Sequence, residues 1–396
     1  MRLLKTVVAE LEKPRAERPF GSGWLSGTGA LLAGIAGLLL VLIRWFPETF
    51  SYPQLAFIHD SGAVTVALRI VLLAGYALAL ISLMLSRHRA LAWSALSLTV
   101  IASLMATTQP ERAGSTPQSL YFGLDYFVIN VLVVGFLFVP LERFFPARGE
   151  QTVLREEWQE DMFYYLVSSM LVQVLGFLTL APANYVNAAV RLDDVRLHIV
   201  NLPFWVQVVV IMAATDFVQY WVHRAFHTFP VLWRFHAIHH STKKMDWLAG
   251  ARMHFVEIAV LRGLTAVPMF TLGFAPAAIQ TYLLIVYFSS SFIHANIGWR
   301  FGFLERFFVT PRYHHWHHGS DREAIDINYA SHFPIYDWLF GTHHLPDDRW
   351  PENYGVIGNT VPKGYWKQFA YPFQKPKPAD PTDESGIDPD RVMVGE

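Results

Sequence analysis

Long apolar segments constrain this chain more than any other feature of its sequence. Runs able to cross about 30 Å of hydrocarbon lie at 24–45, 62–86, 90–107, 119–140, 162–183 and 203–222, with a shorter pair at 256–273 and 277–296. A lipid bilayer offers the backbone no hydrogen-bond partners, so each run is expected to be helical. The sequence therefore predicts an all-α, polytopic transmembrane helix bundle with six spans, and the shorter pair is interpreted as a re-entrant hairpin.

Composition narrows the expected partners. The chain is 53% hydrophobic and 16% charged with a net charge of −1, so it lacks the basic surface that nucleic acid requires. Lipid and the membrane are the expected partners, and the composition says nothing about oligomeric state. Cysteine is absent, which excludes thiolate zinc sites and iron–sulfur clusters. Any bound metal must then be held by His, Asp or Glu.

Lysine and arginine in the short loops set the expected orientation. The N-terminus, Arg87 with Arg89, and the segment 141–161 are rich in these residues, which favours a cytoplasmic location for them. Six spans would then return the chain to the cytoplasm near residue 223. We predict three regions: N-terminal transmembrane helices at 1–118, a catalytic domain at 119–350, and a C-terminal segment at 351–396 with a disordered tail from about 371.

Histidines are concentrated in one part of the chain. Of 17 histidines, all but His59, His88 and His198 lie between residues 223 and 344. His223 and His227 form an HxxxH pair, and residues i and i+4 share one helix face. Two HxxHH groups follow. They contain His236, His239 and His240 in HAIHH, and His314, His317 and His318 in HHWHH, where His315 occupies a spacer position.

The grouping predicts a histidine-rich helical cap on the cytoplasmic face that holds metal. These eight histidines are the main ligand candidates, and His294 and His254 are weaker ones. Asp216 and Tyr220 lie on the same helix face as the HxxxH pair, and a carboxylate below ligating imidazoles can fix their orientation and tautomer. Imidazole-rich sites favour Fe, Zn, Cu or Ni.

Two other interpretations of the histidines stay open. Intramembrane His and Asp residues also form ion relays in metal or proton transporters, which would place polar groups at the midplane of several spans; here the histidines gather at span ends. Zinc in place of iron would instead indicate a protein without oxidative activity.

The ordered motifs resemble those of a known family. HRAFH, HAIHH and HHWHH, with DFVQYWVHR before them and DINYASHFPIYDWLFGT after them, are similar to the fatty acid hydroxylase/sterol desaturase superfamily over roughly residues 120–350. In this family the three histidine motifs are called boxes. The resemblance implies that the eight box histidines bind two iron ions and that His294 matches an additional histidine. It also implies that Asn328 and Asp337 support the third box, HHWHH. His254 stands in HFVE where many members have HPxE.

The resemblance also implies a chemistry. It indicates a membrane oxidoreductase that uses O2 to hydroxylate or desaturate a lipid, such as a sterol or fatty acyl chain, in lipid metabolism. Histidine spacing does not distinguish the two outcomes or identify the lipid. No glycine-rich dinucleotide fingerprint follows a plausible strand, so electrons are expected from an external donor protein.

Replacing one box histidine tests the metal prediction. We expect His239→Ala to abolish metal loading, because a ligand nitrogen is lost, whereas His88→Ala should load metal like the parent protein. Metal per chain, measured by plasma mass spectrometry on purified protein, is the readout. Equal loading by both variants would contradict the assignment.

Overall fold

The computed structural model describes residues 2–47, 49–50, 57–86, 88–107, 124–347 and 349–374. These residues form helices joined by loops and two isolated β-bridges, Pro146 with Ile297 and Gly319 with Tyr354, and they contain no named strand. The predicted all-α class is confirmed for this part of the chain. The predicted disordered tail lies outside the described residues from 375 onward.

Sixteen α-helices are present in the described ranges. They are α1 Arg2–Leu11, α2 Trp24–Trp45, α3 Phe57–Asp60, α4 Gly62–Leu85, α5 Ala90–Thr107, α6 Leu124–Phe144, α7 Trp158–Met170, α8 Val172–Ala189, α9 Asp193–Val200, α10 Phe204–Thr228, α11 Pro230–His240, α12 Phe255–Thr271, α13 Pro276–His294, α14 Pro311–His317, α15 Ile335–Phe340 and α16 Tyr365–Ala370.

Six helices are long and apolar enough to cross a membrane, which confirms the multi-pass prediction. They are α2, α4, α5, α6 from Tyr126, α10 and α13. Two expectations change. The run at 162–183 is not one straight span: α7 and α8 meet at a bend of 62°, which averaged hydropathy does not reveal. In the pair interpreted as a re-entrant hairpin, α13 has the length of a full span.

The chain forms two compact units. The first comprises residues 1–136, 149–153 and 169–171, and the second comprises 137–148, 154–168 and 172–396. The boundary predicted between residues 118 and 119 falls in 108–123, outside the described residues. All of the box histidines belong to the second unit.

Small residues bring the helices of the first unit together. A Cβ on Gly27 would lie 2.6 Å from Ser82 Oγ, and one on Gly34 would lie 3.0 Å from the Ala95 carbonyl oxygen. Ser82 Oγ donates a hydrogen bond to the Gly23 carbonyl at 2.8 Å. The glycine face of α2 thus lets α4 and α5 approach closely, as small residues do in membrane helix packing.

In the second unit, α10 packs between α12 and α13. Its N-terminal part contributes Val208 and Ile211 to an apolar core with Ala266, Met269 and Ala278. Its C-terminal part contributes Tyr220 to a second core with Tyr313 and Tyr329. The last two turns of α10, which carry His223 and His227, are therefore fixed by packing on several sides.

A glycine exchange tests the packing of the first unit. Gly27→Ala should destabilise it by about 1–3 kcal/mol, because the new methyl group collides with Ser82. Gly29→Ala on the same helix should cost less, since its Cβ would meet only the end of the Leu78 side chain at 3.3 Å. Thermal unfolding followed by circular dichroism is the measurement, and equal stability of both variants would contradict the close approach.

Candidate metal centre

Nine buried histidines converge in the second unit, and each is at most 6% exposed. Two lie in the last turns of α10, three in α11, one at the end of α13, and three in α14 or directly after it. They are His223, His227, His236, His239, His240, His294, His314, His317 and His318. The structure thus brings together the eight box histidines and His294.

The nine rings form two groups. His223, His227, His236, His240 and His317 each place one ring nitrogen within 4.8 Å of the others, and His239, His294, His314 and His318 form a second group by the same measure. The groups adjoin each other, because the rings of His240 and His318 stack with centroids 4.4 Å apart. Both groups fit metal sites.

The nitrogen spacing is that of ligands around a metal ion. In the first group His236 Nε2 lies 2.9 Å from His223 Nε2 and 3.1 Å from His240 Nε2. In the second, His294 Nε2 lies 3.2 Å from His239 Nε2 and 3.1 Å from His314 Nε2. Metal–nitrogen bonds of about 2.0–2.1 Å at tetrahedral to octahedral angles require separations of about 2.9–3.4 Å.

Two buried ring nitrogens support the same interpretation. His227 Nε2 and His317 Nε2 have no hydrogen-bond partner in the described part of the chain, although both belong to the first group. Buried polar atoms are normally satisfied. A metal ion bound by the first group would satisfy both.

Backbone carbonyl groups fix the orientation of four rings. The Nδ1 atoms of His223, His239, His294 and His317 lie 2.6–3.1 Å from carbonyl oxygens. These acceptors belong, in the same order, to Tyr329, Arg252, Ser290 and Ile327. A carbonyl can only accept, so each Nδ1 carries the proton and each Nε2 is left with its lone pair for a metal.

Carboxylates hold two further rings. Glu257 Oε1 lies 2.5 Å from His236 Nδ1, and Asp326 Oδ1 lies 3.3 Å from His227 Nδ1. Carboxylate–histidine pairs of this kind orient metal ligands and raise their basicity. Sequence reasoning did not identify the role of Glu257; its only signal was the acidic residue of HFVE.

Burial keeps the rings of the cap neutral. It lowers the pKa of six histidines, assisted by repulsion from neighbouring imidazoles: His236, His239, His240, His314, His317 and His318. Neutral imidazole is the form that binds a metal. The cluster is therefore competent for metal at neutral pH without first losing protons.

The loop after α14 is shaped by Asn328 and Asp337. Asp326 and Asn328 adopt left-handed backbone conformations with φ of 58°. Asn328 donates from its side-chain amide to the carbonyls of Tyr313 and His344, and Asp337 accepts the amides of Tyr329 and Ala330. These contacts aim the loop carbonyls at the rings of His223 and His317.

Tyr220 belongs to the same support. Its hydroxyl lies 2.9 Å from Thr342 Oγ1, which donates to Asp337 at 2.7 Å. Asp216 differs from the expectation that it orients a ligating ring. Its carboxylate accepts the backbone amides of Ser331, His332 and Phe333 at 2.8–3.1 Å, so it anchors the loop to α10.

His254 and His315 lie outside the two groups. His254 caps α12 by accepting from the Val256 amide, and its Nε2 lies 3.1 Å from the Phe369 carbonyl. His315, the spacer residue, contacts the Tyr354 hydroxyl at 2.8 Å and the His294 carbonyl at 3.1 Å. The structure therefore does not bring the nitrogens of His254 to either group.

A buried ion network, not foreseen from sequence, supports the second group. Arg155 binds Asp246 at 2.7 Å and Asp161, and Arg252 binds Asp161 and Glu157. Burial alone would lower the pKa of the Arg155 guanidinium, but Asp246 and Asp161 hold it above its ordinary value. Arg252, whose carbonyl accepts from His239, is thereby fixed at both ends.

Together, the fold and the two nitrogen groups define a membrane helix bundle with a histidine-lined core whose donors fit metal sites. The chain matches the fatty acid hydroxylase family over residues 208–342, which contain all nine grouped histidines. Residues 208–342 therefore match the family that the histidine motifs predicted.

Three relatives illustrate the family. An ornithine lipid hydroxylase, OlsE of Rhizobium tropici, is 34% identical over 174 residues, which are 44% of this chain and 52% of the relative. The human (Homo sapiens) alkylglycerol monooxygenase is 30% identical over 134 residues, 34% of this chain and 30% of the relative. A very-long-chain aldehyde decarbonylase of Arabidopsis thaliana is 28% identical over 159 residues, 36% and 25% respectively.

The match thus spans about half of the ornithine lipid hydroxylase and less than a third of the human monooxygenase. No solved structure matches the chain significantly.

A methyl group at Gly250 tests the second nitrogen group. A Cβ there would lie 2.9 Å from His294 Nδ1 and 3.2 Å from the Ser290 carbonyl that holds this ring. Gly250→Ala should therefore displace His294 and lose about one of the two metal equivalents expected for two groups. Metal per folded chain is the readout.

Gly263→Ala is the matched control, since its Cβ would make ordinary contact with Pro182 at 3.5 Å. Full metal content in Gly250→Ala would show that the ring of His294 is not needed for metal binding.

Proposed function

We propose that this protein is an O2-dependent, non-haem di-iron oxygenase that hydroxylates a membrane lipid. The observation that carries the proposal is the pair of adjacent, buried nitrogen groups. One group offers five nitrogens and the other offers four. Each group suits one metal ion, with coordination positions left open for oxygen. Bound in this way, two iron ions would supply the reducing power needed to activate O2 toward an unactivated C–H bond.

Hydroxylation is favoured over desaturation by the relatives. The names of two of them, an ornithine lipid hydroxylase and an alkylglycerol monooxygenase, describe insertion of oxygen into a lipid. We extend that outcome to this chain, with a polar lipid carrying an alkyl or acyl chain as substrate. One oxygen atom of O2 is inserted into the C–H bond. The other atom takes up two protons and two electrons and leaves as water.

The residues of this chain provide fixed, neutral nitrogen donors. The hydrogen bonds to Nδ1 hold the rings of His223, His239, His294 and His317 in position, so little reorganisation is needed when metal binds. A cavity of about 50 Å3 borders His227, His240 and His317 of the first group. A cavity of this size has room for O2 or water.

The electrons are proposed to come from a separate donor protein. The chain contains no cysteine for iron–sulfur ligation and no dinucleotide fingerprint. The distribution of lysine and arginine in the loops supports a cytoplasmic location for the cap, where such a donor would have access to it.

Isotope incorporation tests the proposal. Full-length protein in lipid nanodiscs should contain about two iron ions, one for each ligand group, and should transfer 18O from 18O2 to a lipid when a chemical reductant and a lipid extract are supplied. Mass spectrometry of the lipids reads the product. His240→Ala should remove the labelled product, whereas the exposed control His198→Ala should not.

Two results would overturn the proposal. Zinc in both positions with no oxygen uptake would indicate a non-oxidative protein. Labelled product from His240→Ala at the parent rate would mean that the first group is not the reaction centre.

A further inference from the structure

Two short segments of the second unit expose large apolar side chains. One surrounds the turn Gly302–Arg306 and the other is α15. Six of their side chains are at least half exposed: Phe303, Phe307, Phe308, Ile335, Trp338 and Leu339. A contiguous apolar patch of this kind is unfavourable in water and marks a surface for protein or membrane contact.

Helix α15 lies beside the membrane span α10. The Tyr336 hydroxyl donates to the Ala213 carbonyl at 2.7 Å, and the Phe340 ring lies 4.8 Å from that of Trp221. Phe217, which lies between Ala213 and Trp221 on α10, has an exposed side chain. The exposed side of α15 is therefore at the depth where α10 itself presents aromatic side chains to lipid.

The segment after α13 reaches a similar depth. The Val309 amide donates to the His332 carbonyl at 2.9 Å, and the His332 ring lies 6.0 Å from Tyr282 of α13. Tyr282 is about 18 Å along the helix axis from His294, at 1.5 Å per residue. Phe307 and Phe308 thus adjoin the apolar part of a span, well away from the nitrogen groups.

A basic cavity of about 460 Å3 lies between the two segments. Arg300, Arg306 and Arg312 line it, together with Glu305 and Asp347. Arg312 is occupied by Glu305, at 2.5 Å, and by the Pro346 carbonyl, at 2.6 Å. Among the described residues of the lining, three arginines thus face two carboxylates, a net positive charge. Phe303 and Trp338 belong to both the cavity and the exposed surface.

We propose that these two segments form an interfacial surface that inserts into the membrane, and that the cavity binds the headgroup phosphate of an anionic phospholipid. Arginine and aromatic side chains are the residues that anchor proteins at the lipid headgroup level. Guanidinium groups pair well with phosphate oxygens. A lipid fits better than a protein partner, because the apolar rim lies alongside membrane spans.

The lipid contact can be measured because the native chain has no cysteine. Spin labels are attached to Phe307→Cys and Trp338→Cys in protein reconstituted into nanodiscs of phosphatidylcholine and phosphatidylglycerol. Both labels should collide more often with oxygen than with a water-soluble nickel chelate. Lys363→Cys is the control, since Lys363 is exposed and paired with Glu156, and its label should show the opposite preference.

The headgroup contact is tested with Arg306→Gln. The preference for spin-labelled phosphatidylglycerol over phosphatidylcholine should fall about fivefold, the factor for one arginine near an anionic surface. Arg322→Gln removes an exposed arginine that does not line the cavity and should keep the parent preference.

Three outcomes would overturn the proposal. They are equal water access at positions 307, 338 and 363, an unchanged lipid preference in Arg306→Gln, and displacement of the lipid by inorganic phosphate, which would indicate a free-anion site. None of these measurements requires bound iron or turnover, so they fail or succeed independently of the proposed oxygenase activity.

Discussion

The rest of the second unit depends on the burial of nine imidazole rings in one place. Neutral rings so close together must divide their two nitrogens between different partners, or buried polar atoms stay unsatisfied. At six of the nine rings the protein provides an acceptor for Nδ1, which leaves Nε2 to face the other rings. Most of these acceptors are backbone carbonyls, and a carbonyl can point at a ring only where it is not committed to a helix. The irregular segments between the helices therefore shape the site as much as the helices do.

The loop after α14 illustrates this requirement. Asp326 and Asn328 both have φ of 58°, a conformation that Asn and Asp tolerate better than most residues. That backbone aims the Ile327 and Tyr329 carbonyls at His317 and His223. Asp337 stabilises the loop by accepting hydrogen bonds from the backbone amides of Tyr329 and Ala330. Asp337 and Asp216 thus act on backbone amides, whereas Asp326 and Glu257 contact the rings directly.

Hydropathy predicted the helical architecture, and helical periodicity predicted that His223 and His227 share one face, but not how the two HxxHH motifs divide between the groups. His236 and His240, at i and i+4, enter the first group, while His314 and His318, also at i and i+4, enter the second. The intervening His239 and His317 point to the opposite group in each case. Sequence could not assign either pair to its group, because this depends on how α11 and α14 face each other in the fold.

Contacts between distant residues were also beyond sequence reasoning. The pairing of Glu257 with His236, the anchoring of residues 331–333 by Asp216, and the Arg252 network all depend on packing between separate helices. The bend between α7 and α8 was missed for a related reason: both halves are apolar, and a window of hydropathy averages over a change of direction.

The two groups differ in their surroundings, which has a consequence for the proposed reaction. The first group borders the cavity near Ser320 and Gly355. In the second, His294 is enclosed by the Ser290 carbonyl, His239 and the backbone at Gly250. The buried ion network of Arg155, Asp161 and Arg252 also supports this group. Such a network is costly unless every charge is paired. Arg252, which belongs to it, holds His239 through its carbonyl oxygen. Small reactants therefore have a route to the first group, whereas the second is enclosed by groups that hold its rings in place.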